Sequence, residues 1–509
     1  MFVKGFKKMK DILSVENMRK SDAHTIECET PSKELMMRAA KGVFDSVRWR
    51  EPVAIVCGSG NNAGDGYALA LLLNDAGIGC TLFCLSDKFS DDGRYYYDMC
   101  LSRGIETIDV KSRGIKGFED FNTIADCILG TGFKGQVRDD IASVIEKINE
   151  SSAYVVSVDI NSGLNGDNGL SSLCVRSDMT VSVGSYKPGH FLNMAKDVMK
   201  DKINRDIGIK PVDAPFKLIE EDDIRAVLSP RKNLSNKGTY GYTALIGGCD
   251  RYSGAIRLAY MANAAMRSGA GVVKVAIPTS IRTEVSSHVL ESTVFALPDM
   301  EGNVVFDEKK MSELISNVKT IAFGMGIGVS DETKKMLKYL FVNYGKRLIV
   351  DADGLTILSQ MDKDVIRNRK CELILTPHIK EFSRLTKFSM DEINVSPIDT
   401  AKAYADEIKA VVLLKGPSTV VTDGSEVYIT DKGCAGMATA GSGDVLSGIL
   451  AATCAYIDDV MMAVTTGAYI NGSAGEIAQK KYGSISMIAS DTVSCIADVI
   501  HPFCEKENE

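Results

Sequence analysis

Val53-Ala-Ile-Val-Cys-Gly-Ser-Gly-Asn-Asn-Ala-Gly-Asp-Gly66 decides the fold. Five apolar or β-branched residues run straight into a glycine-rich turn, and an apolar helical pattern, 64–76, follows the turn. A strand that is apolar on both faces belongs inside a parallel sheet covered by helices. Glycines at the turn let the backbone pass close to a ligand, and a helix N-terminus offers free N–H groups to phosphate. A glycine-rich turn alone could serve packing only. The oxygen-bearing Asn61, Asn62 and Asp65 have no role in a plain turn and mark a site.

The same alternation of strand and helix continues outward. Strands are expected at 81–85, 123–129, 154–159 and 179–183, and a helix at 138–149. It then starts afresh, with strands at 243–247, 272–276, 320–323, 347–351, 372–376 and 410–414. Helices are expected there at 254–268, 331–344, 400–407, 443–456 and 460–480. This is α/β grammar twice over. Pro211, Pro215 and the acidic run Glu220–Asp223 place the join near residue 215, giving domains at 1–215 and 216–509.

Composition bounds the function. The 509 residues carry a net charge of -8, with 45% hydrophobic and 25% charged residues. A mildly acidic chain without a basic stripe is not built for nucleic acid or an anionic membrane. None of the 13 cysteines falls in a CxxC pair or a zinc-ligand cluster, so reduced thiols in a cytoplasmic protein are expected. The N-terminal stretch has lysines but no apolar core of a signal peptide, and no run is long enough to span a membrane.

Several segments should meet at the carboxyl ends of the first set of strands, where open α/β sheets bind ligands. They are 58–66, the run Gly130-Thr-Gly-Phe-Lys-Gly135 after Asp126, Asp159-Ile-Asn-Ser-Gly-Leu164, and Tyr186-Lys-Pro-Gly189. Any one of these carboxylates could be a helix cap or a solvated loop residue. Together, in this order, the four motifs resemble the NAD(P)HX epimerase family over roughly residues 18–206. The resemblance implies that Asn61, Asn62, Ala63, Gly64 and Asp65, with Gly130, Thr131, Gly132, Phe133, Lys134, Gly135 and Gln136, hold a hydrated dinucleotide. It implies Asp159 as a substrate-contacting acid or base. It also implies a potassium ion on Asn62, Asp126 and Ser162, oxygen ligands that suit a hard cation. Ala63, Asn161 and Asn165 depart from the family's usual glycine, proline and aspartate.

The second site is read from Gly433-Cys-Ala-Gly-Met-Ala-Thr-Ala-Gly-Ser-Gly-Asp-Val-Leu-Ser-Gly448. The amides of Gly441, Ser442 and Gly443 would form an anion hole at a helix start, with Asp444 beside it as a base. Positioning, neutralisation and deprotonation are what phosphoryl transfer needs. A glycine-capped helix start, with Asp444 facing only the dipole, is the bland alternative.

From about residue 219 to the end, the chain resembles the ribokinase-like superfamily. Within it the match is to the ADP- or ATP-dependent NAD(P)HX dehydratases. Supporting motifs include Ser253-Gly-Ala255, Gly324-Met-Gly-Ile-Gly328, Asp351-Ala-Asp353, Leu375-Thr-Pro-His-Ile-Lys-Glu381 and Leu414-Lys-Gly416. The resemblance implies substrate contacts at Ala255, Gly328, His378, Gly443 and Asp444. It implies nucleotide contacts at Lys415, Gly416, Pro417, Ser418, Thr419, Gly441, Ser442 and Gly443, with Mg²⁺ accompanying ADP or ATP. His378 could instead simply cap a helix. Asn236, Met325 and Ile379-Lys380 stand where the family has other residues.

The expected molecule is an α/β protein with an N-terminal Rossmann-like three-layer domain and a C-terminal ribokinase-like domain. It is expected to act on NADHX and NADPHX with ADP or ATP, probing no nucleic acid and no membrane, and to form a homo-oligomer. A small-molecule kinase would use the same anion hole and Asp444. A non-enzymatic scaffold, of the kind epimerase-like domains form in RNA-processing complexes, would not need Asp159.

Overall fold

The computed structural model describes residues 9–115, 117–250, 261, 263–287 and 289–504. Contacts divide the described residues into two compact units, one of Asp11–Phe216 and the other of the residues from Lys217 onward together with residues 9 and 10. Among the described residues, no helix is long and apolar enough to cross a membrane.

The N-terminal unit holds a sheet of seven strands. They are β1 (Val53–Cys57), β2 (Cys80–Cys84), β3 (Glu106–Asp109), β4 (Thr123–Cys127), β5 (Tyr154–Val158), β6 (Ser177–Val183) and β7 (Met199–Arg205). Their spatial order is 3-2-1-4-5-6-7, and every pairing is parallel. β1 and β4 are buried along their whole length, as expected for strands covered on both faces. The order reverses between β1 and β4. This switch point opens a crevice at the carboxyl ends of the strands.

Two glycines in the β1 turn are structural. A Cβ on Gly58 would lie 2.0 Å from the Ile128 carbonyl oxygen, and one on Gly66 would lie 2.9 Å from the sulfurs of Cys57 and Cys127. Gly58 lets β1 and the β4 loop close together, and Gly66 seats helix Asn61–Asp75 on the sheet. That helix begins three residues earlier than its apolar pattern indicates, because the polar Asn61 and Asn62 form its first turn.

Two helices precede β1, Val15–Cys28 and Ser32–Phe44. The sequence reading placed neither. The buried face of the first is Val15, Met18, Ser21 and Thr25, half of it hydroxyl. Ser21 donates to Asn17 O and Thr25 to Ser21 O, each at 2.7 Å, so the hydroxyls are satisfied within their own helix. The polar half of the stripe conceals the helical period from a hydrophobicity reading.

The C-terminal unit repeats the arrangement on its own sheet. Its strands are β8 (Tyr242–Gly247), β9 (Val272–Pro278), β10 (Thr293–Leu297), β11 (Thr320–Met325), β12 (Arg347–Val350), β13 (Glu372–Leu375) and β14 (Val411–Leu414). They run in the order β10-β9-β8-β11-β12-β13-β14, all parallel. Two antiparallel strands, β15 (Thr419–Thr422) and β16 (Val427–Thr430), continue from β14. Three helices, Ser442–Tyr456, Val460–Tyr482 and Ala489–Cys504, pack apolar faces into the core. Ala255 and the first part of the helix expected at 254–268 lie outside the described residues.

Candidate active sites

A cavity of about 530 Å³ opens at the N-terminal switch point. The β1 turn contributes Ser59, Gly60, Asn61, Asn62 and Asp65; the β4 loop contributes Gly130, Thr131, Gly132 and Phe133. Nothing lies within 4 Å of where a Cβ on Gly60 would stand, so this glycine borders open space rather than packing. Ala63 and Gly64 are buried in the helix behind the lining, and Ala63, with its negative φ, takes the place of the family glycine without strain. Lys134, Gly135 and Gln136 are exposed and do not line the cavity. They follow the turn out into solvent, and Gly130–Phe133 are the part of the expected run that lines the cavity.

Asp159 follows β5 and reaches the cavity in a left-handed conformation, φ 64°. Strain of this kind persists only where neighbours enforce it. Here Asp159 N donates to Val181 O (2.8 Å). Its own carbonyl lies 2.7 Å from His190 Nε2. Lys187 N donates to His190 Nδ1 at 3.0 Å, so the ring is a neutral Nε2–H donor toward Asp159. Burial pushes the imidazole down to about 4, with the Lys187 charge adding to the effect. The Asp159 carboxylate pairs with Lys187 Nζ at 2.5 Å. The lysine side chain is 1% exposed and the aspartate 17%, so the carboxylate is the more open member of the pair toward the cavity that both line. Burial, aided by Asp159 and Asp22, holds the Asp65 carboxyl well above the usual range.

Asp126 lies beneath the cavity floor, fully buried. It accepts from Ser157 Oγ (2.9 Å), Ser162 N (2.9 Å) and Ser162 Oγ (2.5 Å). Burial still raises its carboxyl against these bonds. Ser162 Oγ also takes the Leu129 amide at 2.8 Å, and Asn62 Nδ2 donates to Leu129 O at 3.2 Å. Asn62 Oδ1 is buried without a hydrogen-bond partner. The three residues expected to hold a cation are thus gathered around Leu129, and one of their oxygens lacks a donor, an arrangement that suits a cation.

The two polar departures from the family pattern have structural explanations. Asn161 is fully buried and donates to Val175 O, Ser177 Oγ and Val198 O at 2.8–3.0 Å, while accepting from Thr180 Oγ1. It ties β6 and β7 to the Asp159 loop. Asn165 Oδ1 caps its own turn by accepting from Asp167 N and Asn168 N.

In the C-terminal unit, residues from four successive strand ends meet. Gly328 (φ 79°) follows β11, and Asp353 Oδ2 accepts from its amide at 2.9 Å. Asp351 ends β12 and is buried. It accepts from Lys415 Nζ (3.1 Å), Ser447 Oγ (2.8 Å) and Ala352 N (2.9 Å). Lys415, after β14, also lies 3.8 Å from Glu381 Oε2. Burial opposes its charge, but Asp351 and Glu381 outweigh burial and raise it.

Helix Ser442–Tyr456 starts beside this pair, with Gly441 (φ 92°) as its N-cap and Asp444 in its first turn. A Cβ on Gly443 would stand 3.6 Å from Asp351 Oδ2 and 3.7 Å from Lys415 Nζ. The first amides of a helix have no acceptor in their own helix. Here they sit next to a lysine, and Gly441, Ser442, Gly443 and Asp444 are all partly exposed. Gly416 and Pro417 form the exposed β14–β15 turn, while Ser418 is buried and donates to Asp431 (2.9 Å). Thr419 opens β15.

His378 does cap a helix. Its Nδ1 accepts from Lys380 N and Glu381 N at 3.1 and 3.3 Å, and Glu381 accepts from His378 N in return. Ile379 and Lys380 form the first turn of that helix. Burial depresses the ring below its ordinary value, so the neutral form carries a proton on Nε2, on a half-exposed side chain. Cap and ligand contact are compatible on one ring. Asp22, Lys187, His190, Asp351 and Glu381 were absent from the expected site residues. Lys187, Asp351 and Glu381 stand in quoted motifs; nothing in the local sequence marks Asp22 or His190.

Two doubly wound units in tandem define a two-site α/β enzyme. One presents a carboxylate to a cavity, and the other presents a glycine-started helix beside a lysine. A model described as YjeF-related protein N-terminus matches residues 32–189, and one described as NAD(P)H-hydrate dehydratase matches 243–498. The chain belongs to the bifunctional NAD(P)H-hydrate repair enzyme family. It is 33% identical to such an enzyme of Archaeoglobus fulgidus, over 92% of this chain and 93% of the relative. It is 31% identical to that of Escherichia coli, over 93% and 91%, and 32% to that of Thermofilum pendens, over 84% of each. In fold it resembles a ribokinase-like superfamily protein of Enterococcus faecalis, with TM-score 0.50 and 21% identity over 57% of this chain and 97% of that one.

Proposed function

We propose that this chain repairs hydrated NADH and NADPH. The N-terminal unit interconverts the R and S hydrates. The C-terminal unit dehydrates the S form at the expense of ADP or ATP, giving AMP or ADP and phosphate. The observation that carries the reading is that one chain holds both the Asp159 cavity and the Gly441–Asp444 helix start, each at the carboxyl edge of its own sheet.

In the N-terminal unit, Gly60 and the Gly130–Phe133 loop admit the dinucleotide, and Asp159 exchanges a proton at the hydroxyl-bearing ring carbon. Asn62, Asp126 and Ser162 would hold a potassium ion, whose charge would favour binding of the anionic substrate.

In the C-terminal unit, Asp444 takes the proton of the substrate hydroxyl as its oxygen attacks the terminal phosphoryl group. The amides at Gly441–Gly443 and the Lys415 ammonium receive the charge on the transferring group. The ring nitrogen lone pair then expels phosphate, and loss of a proton from the neighbouring carbon restores the dihydronicotinamide. Mg²⁺ would arrive with the nucleotide phosphates. A fixed phosphorylating site accepts one epimer, which explains its fusion to a unit that converts the other.

The test is incubation with mixed R and S hydrates and ADP. Full return of the dihydronicotinamide absorbance with one phosphate released per turnover is expected. Return of half the absorbance means that epimerisation is missing. A stable phosphorylated product identifies a kinase instead.

A further inference from the structure

Helix Val15–Cys28 forms one wall of the N-terminal cavity. Met18, Asp22 and Ile26 recur every fourth residue, so they share a helical face, and all three line the cavity. Met18 and Arg19 approach neighbouring loops closely: Met18 Cε lies 2.5 Å from where a Cβ on Gly184 would be, and Arg19 Nη2 lies 2.9 Å from that of Gly132. Asp22 is half-buried and makes no hydrogen bond to a described residue. Asp159 is committed to Lys187, which leaves Asp22 as an unengaged carboxyl on another wall of the same space.

We propose that Asp22 is the second acid–base group of the N-terminal site, acting on water at the same ring carbon as Asp159. This rests on the epimerase reading above. Inverting a hydroxyl-bearing carbon requires a proton to be given on departure and taken on return. In one direction protonated Asp22 donates to the hydroxyl. The C–O bond breaks, the ring nitrogen lone pair forms a C=N bond, and water leaves. Water then adds to the opposite face, the C=N electrons return to nitrogen, and Asp159 takes the released proton. Solvent carries that proton back to Asp22, and the reverse epimer exchanges the two roles. No net proton or electron is consumed.

The charged groups around Asp22 support this. Asp65, Asp92, Asp159 and Lys187 line the cavity from the other elements, and Arg19 lies on its own helix. Burial raises the Asp22 carboxyl to about 6, with Lys187 opposing and Asp159 adding to the rise. Asp22 therefore holds its proton below about pH 6 and loses it above, within the range where a donor is effective.

The experiment uses the full chain as wild type, Asp22→Asn and Asp22→Glu. Interconversion of separated R and S hydrates is followed without nucleotide, and ADP-dependent dehydration of the S hydrate is followed in parallel. In the wild type, epimerisation kcat should decline as pH rises through about 6. Asp22→Asn should lower kcat about 100-fold or more, leave KM little changed and abolish that decline, with dehydration intact. Asp22→Glu should restore part of kcat and of the pH dependence. An Asn variant that keeps both kcat and the decline overturns the proposal, as does a joint loss of both activities in the Asn and Glu variants. A wild-type protein that dehydrates but does not epimerise overturns the epimerase reading itself.

Discussion

The two units share a strand order and differ in which member of a buried ion pair they present. In both sheets the fifth strand in chain order ends in an aspartate at or beside a left-handed residue, Asp159 itself and Ala352 after Asp351. Each aspartate pairs with a lysine from a later strand end. In the N-terminal unit the lysine is 1% exposed and the aspartate 17%; in the C-terminal unit the aspartate is 3% exposed and the lysine 23%. One unit hides the cation and offers a proton-accepting carboxylate. The other hides the carboxylate under Ser447 and offers an ammonium beside a helix start. On the proposed function, turning one ion pair around would suit the same scaffold to proton exchange in one case and to phosphate in the other.

The largest expected effect comes from Asp444→Asn. Phosphate release should fall by about 10²–10⁴-fold while R/S interconversion by the same protein stays unchanged. Paired phosphate and epimerisation assays check this, and a parallel loss of both would break the separation between units.

Next, Lys187→Met leaves the Asp159 carboxylate without its ion-pair partner and with only the long Val183 amide bond, and should destabilise the N-terminal unit by about 3–5 kcal/mol. Lys415→Met should cost less, about 1–3 kcal/mol, because Ser447 and the Ala352 amide still satisfy Asp351; its main effect should be a raised KM for ADP. Urea denaturation followed for each unit reads both values, and equal losses would erase the proposed inversion.

The β1 turn offers a finer contrast. Gly58→Ala forces a Cβ into the Ile128 carbonyl and should cost about 1–3 kcal/mol or more. Gly60→Ala meets nothing and should leave thermal stability unchanged while raising KM for the hydrated dinucleotide. The smallest effect, about 1 kcal/mol, is expected for His378→Ala through loss of its cap on helix Ile379–Thr386.

The strands were legible wherever both faces are apolar. Val53–Cys57 stands in the sequence as an uninterrupted run, residues 123–127 as one interrupted by Thr123 and Asp126, and their glycine-rich exits mark the switch point. β3 and β7 escaped notice because they form the two edges of the sheet, and their polar residues are half-buried or exposed. The glycines at 58, 60 and 66 look alike in sequence. Only the approach of Ile128, Cys127 and empty space separates one packing role from another and from binding. The site was legible where motifs follow strands. It was hidden where a residue acts from a distance in sequence, as His190 does in holding the Asp159 backbone and Asp22 does from a helix whose inner stripe is half hydroxyl.

That half-hydroxyl stripe has an energetic consequence. Val15 and Met18 are the only large apolar side chains which helix Val15–Cys28 buries among its described residues, so little apolar surface is withdrawn from water when it docks. A segment with so few apolar anchors opens locally at low free energy compared with β1 or β4. Its amide hydrogens should exchange with deuterium earlier than theirs. A dinucleotide seated against Met18 and Ile26 should slow that exchange, giving a label-free readout of occupancy that does not depend on catalysis.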